Sequence, residues 1–200
     1  MQPVTFLDDL LRSTSVTFDL ARNEEMSTAG SGDIWGAEQA PPLWVAGISL
    51  ADVSRDVAAM IDARVRYLGT NGTALISDPL QPILDVPGPV TVAAIASDRG
   101  SLSLAGLPAG QAITGGVRLS VEHGVNRVFY GELAFDAVAD GAGVTPLMPV
   151  TPWIAYGVQA GQSVELARPV CKMAVVGHQP HKGDMDGNGR GASLQLRQKF

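Results

Sequence analysis

SLADVSRDVAAMIDARVRYLGTNGTALISDP, residues 49 to 79, is where the chain changes its hydrophobic period. Val53, Val57, Met60, Ile61, Val65 and Leu68 recur at helical spacing, while Arg55, Asp56, Asp62, Arg64 and Arg66 take the rest of the wheel. The pattern predicts a helix over 50–68, capped at its start by Ser49 with Asp52 three residues on, and closed by Gly69. Asn71-Gly72 reads as a tight turn into the strand TALIS, which Asp78-Pro79 ends.

Outward from that helix the period is two. Val16, Phe18 and Leu20 alternate with polar residues in SVTFDL (15–20), and LWVAGIS (43–49) reads as a second strand. Between them, residues 22–42 are polar and glycine-rich, and are expected to form a long exposed loop around an isolated Ile34-Trp35 pair. After residue 80, strand-like runs follow at 90–97, 101–106, 117–122, 125–138, 144–150, 163–176 and 192–200, separated by Gly, Pro, Asn or Asp turns. Prolines 146, 149, 152 and 169 point to edge strands or bends. The chain therefore reads as mainly β with one α-helix. Three parts are expected: 1–80 with the helix, a β-rich remainder over 81–176 beyond the proline-rich 79–89, and a polar loop and final strand over 177–200.

Composition narrows the functional classes. At 46% hydrophobic, 200 residues can bury a core, and 23 glycines with 13 prolines suit many short elements and turns. A net charge of −6, with the 14 Lys and Arg scattered, offers no field for a phosphate backbone, so nucleic acid is not an expected partner. No apolar run approaches the ~18 residues of a membrane span, and two aspartates stand near the N-terminus where a signal peptide would be basic. Synthesis in the cytoplasm without membrane insertion is the expectation. The single cysteine, Cys171 in PVCKMAVV, reads as a buried, inert thiol.

The motifs that invite chemistry fall short of it. GDMDGNGRG (183–191) places Asp184, Asp186 and Asn188 at alternate positions before Gly189, as a calcium loop does. Position 12 of that loop is Gln195, which cannot give the bidentate carboxylate, so these three remain weak metal candidates and the stretch reads as a solvated turn. His178 and His181 in HQPH lie close in sequence to Asp184 and Asp186, but no third His or Cys is near, and a polar loop is the reading preferred to zinc. No G-x-S-x-G surrounds any serine, and His123 has no partner that spacing nominates. No catalytic residue and no cofactor are expected, and the chain does not read as an enzyme.

A combination of turns says more. FDLAR (18–22), a glycine-rich loop, then PLWVAGISLADVSRDVAAMIDARVRYLGTNGTALISDP (42–79), LSLAGLPAGQAITGGVRLSV (102–121), FDAVADGAGVTPLMPVTPWI (135–154) and VELARPVCKMAV (164–175) resembles the distal tail proteins of siphophages and gene transfer agents. The resemblance spans roughly residues 14 to 176 and departs at Gly115-Gly116, where such proteins commonly have Gly-Asp. It implies a split β-barrel of the belt type with the helix packed on it, a β-rich insertion, and a last strand, ASLQLRQKF, that closes the N-terminal barrel. It also implies a homo-hexameric ring in the virion tail, assembled in the host cytoplasm, that joins the tail tube protein to the baseplate hub protein, with the tape measure protein as a further neighbour. Ile34, Trp35 and Arg190 are the expected interface residues. The alternative is a β-sandwich module that binds carbohydrate or a cell surface.

Overall fold

A computed structural model describes residues 4–6, 13–28 and 34–199. In chain order the elements are β1 (Val4–Phe6), β2 (Ser13–Thr28), β3 (Ile34–Leu50), β4 (Val53–Ser54), α1 (Arg55–Asn71), β5 (Thr73–Ile76), β6 (Val90–Ile95), β7 (Ser101–Ala105) and β8 (Ala112–Ile113). They continue with β9 (Arg118–Gly124), β10 (Arg127–Leu133), β11 (Ala137–Val138), β12 (Met148–Thr151), β13 (Ser163–Glu165), β14 (Cys171–Gln179), β15 (Lys182–Gly183), β16 (Asn188–Arg190) and β17 (Ser193–Gln198). The protein is mainly β with a single helix among the described residues, and that helix is not long and apolar enough to cross a membrane.

The helix sits five residues later than its sequence pattern suggests. Val53 and Ser54 pair with Gly189 and Asn188, and Leu50 N–H donates to Ala192 O at 2.9 Å, so a strand ladder claims the backbone groups that a helix from residue 50 would need. Ser54, not Ser49, is the N-cap, and it makes no side-chain cap bond. At the other end α1 runs through Gly69 to Asn71, and Gly72 N–H closes on Leu68 O at 2.9 Å in an extended conformation. Ala58, Ile61, Val65 and Leu68 form the buried stripe. Val57 and Met60, expected on that stripe, are exposed at 36% and 42%, since the packed face runs through Ala58, Ile61, Asp62, Val65 and Leu68 and they stand at its margin.

Six strands form an open sheet in the order β1-β5-β14-β17-β3-β2. Trp44, Ala46, Ile48 and Leu50 of β3, Ala74 and Ile76 of β5, Met173 of β14 and Leu194 and Leu196 of β17 bury one apolar cluster under the helix stripe. A second cluster fills a closed antiparallel barrel, β10-β12-β7-β6-β13-β9, where Val92, Leu102, Leu104, Leu119, Val121, Leu133, Met148 and Val150 point inward. The closed barrel thus lies within residues 90–165. The last strand returns to the N-terminal part, as expected, where β17 lies between β14 and β3 inside a sheet that is open rather than closed. Pro149, expected at an edge, lies in β12 with a neighbour on each side. Each of those ladders is short, Val150 and Thr151 against β10 and Met148 and Pro149 against β7.

The expected loop at 22–42 is mostly paired. Asn23, Glu24, Glu25, Met26, Ser27 and Thr28 face Ala40, Glu38, Ala37, Gly36, Trp35 and Ile34 in register, which extends the β2–β3 hairpin into a long two-stranded arm. The register shift between Ala21 and Asn23 falls opposite Pro41 and Pro42, which lack the donors a regular ladder would need. Polar composition hid this ribbon, since neither face alternates toward a core.

Candidate functional site

Asp184 and Asn188 bracket a tight hairpin between β15 and β16. Asp184 N–H donates to Asn188 O at 3.0 Å, Asn188 N–H donates to Asp184 Oδ1 at 2.8 Å, and Asp184 Oδ2 lies 2.7 Å from Arg190 Nε. Asp186 is exposed at the tip, and Gln195 is carried away in β17 opposite Gly47 and Gly177. Among the described residues no group of three or more His, Cys, Asp or Glu side chains is placed to hold a metal ion. Arg190 also approaches Asp52 Oδ2 at 3.6 Å, so this expected interface cation is engaged within its own chain. Ile34 and Trp35 stand at the distal end of the arm, in register with Thr28 and Ser27, and their side chains lie outside the described residues.

His178 and His181 do not form a free polar loop. His178 belongs to β14, and both rings converge on Asp62 of α1: Asp62 Oδ1 lies 3.2 Å from His178 Nε2 and 3.0 Å from His181 Nδ1, while His181 N–H donates to Oδ2 at 3.2 Å. Sequence spacing paired these histidines with Asp184 and Asp186. The carboxylate they use is more than a hundred residues upstream, and only the packing of α1 on β14 brings it there.

Arg118 of β9 joins the sheet to the barrel. Its guanidinium contacts Asp78 Oδ2, and its Nε donates to Glu132 Oε2 at 3.1 Å. The planar group stacks 4.8 Å from the ring centre of Trp44 and 5.1 Å from that of Phe18, as a cation over aromatic faces does. Phe18, Trp44 and Tyr130 lie within 5.3–5.7 Å of one another, and Trp44 Nε1–H donates to Tyr130 O at 3.2 Å. Burial pushes the Tyr130 phenol and the Cys171 thiol far above their ordinary values, so both stay protonated. The hollow beside Arg118 holds about 120 Å³, room for a few waters at ~30 Å³ each. The joint is structural in shape. A larger groove of about 640 Å³ is lined by Ser120 and Glu122 of β9, Ser163 and Glu165 of β13, and Arg168 and Val170 beyond it, and there Glu165 Oε1 is held by the N–H groups of Ala167 and Arg168.

One end of the barrel is built differently. Arg99, in the β6–β7 turn, adopts a left-handed backbone (φ 59°) that a non-glycine residue keeps only where its surroundings over-determine it. Its guanidinium donates to three carbonyls of the loop after β12: Ile154 O at 2.7 Å, Val158 O at 2.8 Å, and Ala155 O. Thus pinned, residues 152–158 hold Trp153 76% exposed and Tyr156 91% exposed, with Arg99 5.3 Å from the Tyr156 ring centre. Gly157 crosses His123 so closely that a Cβ there would lie 2.3 Å from Nδ1. Burial holds the His123 imidazole below its usual range, and the neighbouring cations Arg127, Arg99 and Lys172 add to that depression. Lys172 Nζ in turn donates to Asn126 O at 2.5 Å, and Lys199 N–H donates to Lys172 O at 2.9 Å. In the sequence TPWIAYG (151–157) follows the last residue of the strand-like run 144–150 and is marked only by Pro152, so this face is not foreseen there. The three adjoining turns are far apart in the chain, and no local signal marks two exposed rings.

Compared with protein-family models and with curated proteins, the chain matches none, so its function is argued from these surfaces.

Proposed function

We propose that this protein is a structural ring subunit of the distal-tail type, which joins a tail tube to a baseplate hub in the virion after assembly in the host cytoplasm. The observation that carries the reading is the β2–β3 arm. β17 supports β3 only from Val45 to Ser49, so from Leu43 outward the ribbon pairs with nothing but itself among the described residues. A two-stranded ribbon alone in water is marginally stable, and a chain that keeps one this long has its contacts in a neighbouring molecule. Among the described residues the outer edge of β2 has no strand neighbour, as befits a sheet that meets another copy. Light scattering and negative-stain microscopy of the purified protein test this: a six-membered ring of about six times the 20.8 kDa chain mass is expected, and a monomer at high micromolar concentration refutes it.

Trp153 and Tyr156 favour a second reading, a surface-binding module that stacks sugar rings on exposed aromatics. Specific signals on a glycan array, abolished by Trp153→Ala, would put this reading ahead of the ring.

A further inference from the structure

We infer that the end of the barrel bearing Trp153 and Tyr156 binds an acidic carbohydrate, whose sugar rings stack on the two aromatics and whose anionic groups meet Arg127, Lys172 and Lys199. This rests on the second reading above, the surface-binding module, and names the class of sugar it takes. It is independent of the ring, because the arm on which the ring reading rests belongs to the other sheet.

A stacking platform works best when its rings are exposed and already held, since ordering a loop at the moment of binding costs affinity. Arg99 supplies the hold through its bonds to Ile154 O, Ala155 O and Val158 O. Its guanidinium also lies over one face of Tyr156, so the opposite face of a ring 91% exposed is the one left open. Trp153 stands three residues earlier on the same fixed loop, and nothing among the described residues covers it.

The charge beside these rings selects an acidic chain. Gly157 of the aromatic loop crosses His123, and the charges felt at His123 are those of Arg127, Arg99 and Lys172. Those felt at Lys172 are Lys199 and Arg127. No carboxylate of the described residues stands among them, although the whole chain has a net charge of −6. Arg127 and Lys199 are exposed and make no ion pair among the described residues, and Lys172 Nζ donates to the carbonyl of Asn126. Burial, then these two cations, hold the Lys172 ammonium below its ordinary value, and a bound anion would offset the crowding of like charges. An acidic peptide would satisfy the cations but leave the open ring faces without a matching surface. Each unit of an acidic sugar chain brings a C–H face and an anion together.

A glycan array that carries uronic, sialylated, sulfated and phosphorylated chains beside neutral ones tests this, followed by calorimetry with oligogalacturonate and its methyl ester, which keeps the rings and loses the charge. Acidic chains are expected to bind, the methyl ester at least about tenfold more weakly, and the acidic signal is expected to fall as salt is raised. Arg127→Glu with Lys199→Glu should remove that difference, while Trp153→Ser with Tyr156→Ser, at positions too exposed to endanger folding, should abolish binding of both forms. Equal binding of neutral and acidic chains overturns the inference and leaves the module reading in place. An array without any bound glycan overturns both. A polyglutamate peptide held as tightly as the acidic sugars, or a loss of assembly mass in the charge-reversed variant, makes the surface a protein contact and overturns the inference as well.

Discussion

Arg118 ties the two parts of the molecule together, because its partners come from both. Asp78 is buried, its side chain 3% exposed, and loses its counter-charge if the arginine is removed. Breaking a buried pair by deleting one partner costs about 3–5 kcal/mol. Arg118→Ala is therefore expected to lower unfolding free energy by that amount in a urea titration, and Arg118→Lys to recover only part, since an ammonium cannot stack flat between Phe18 and Trp44. A loss under about 1 kcal/mol would mean that Asp78 is solvated in the native state.

Asp184 is a smaller case. Asp184→Ala removes the bond to Asn188 N–H and the contact with the half-exposed Arg190, and is expected to cost about 1 kcal/mol. Asp186→Ala, at the open tip, should stay within about 0.5 kcal/mol. Neither parent nor variant should melt differently with added calcium, and a calcium-dependent shift in the parent would restore the ion-binding reading. At His123 the sign follows from the depressed imidazole. The folded state prefers the neutral ring, so this contribution is complete above the ordinary value of 6.5 and is lost as pH falls below it. Stability measured from pH 7 to 5 should fall less steeply in His123→Gln than in the wild type; equal slopes would show that His123 does not couple to folding.

At the scale of elements, what backbone groups could pair with decided the outcome more than local propensity did. The helix pattern was plain in the sequence, yet its first residues were taken by β16, which lies more than a hundred residues downstream. The arm shows the converse, a ribbon formed without a hydrophobic stripe, on the strength of continuing a ladder already nucleated at Val16, Phe18 and Leu20. Because β17 grips β3 only between Val45 and Ser49, replacing residues 22–42 with an Asn-Gly turn should leave the sheet and helix intact, with a melting temperature within about 5 °C of the parent. Assembly should be lost. A shortened protein that fails to fold would place the arm in the core instead.

Among the described residues the molecule has two apolar cores, joined most extensively at the aromatic cluster around Arg118 and also through Lys172 to Asn126 O. Tyr130 comes from a barrel strand yet packs in the sheet cluster, where Phe18 and Trp44 meet it. The two cores should therefore unfold together. Trp44→Ala, at a site 3% exposed, is expected to cost about 3–5 kcal/mol, and to split one calorimetric transition into two as the sheet loosens from the barrel. A single sharp transition at lower temperature would mean that the cores are coupled through Ser120 and Val170 or other contacts away from the aromatic cluster.

The order and type of most elements were legible in the chain itself, since a period of two broken once by a period of 3.6 reflects which residues can share a buried face whatever the neighbours are. So was the burial of Cys171, whose apolar flanks leave it no other place. The ring and its partners were legible only as a resemblance, and they stand as a proposal. Closure of the barrel over 90–165, insertion of β17 inside the sheet, convergence of His178 and His181 on Asp62, and exposure of Trp153 and Tyr156 were decided by tertiary structure alone. Each depends on residues far apart in sequence, whose meeting is set by register and packing, and neither leaves a mark on the local pattern.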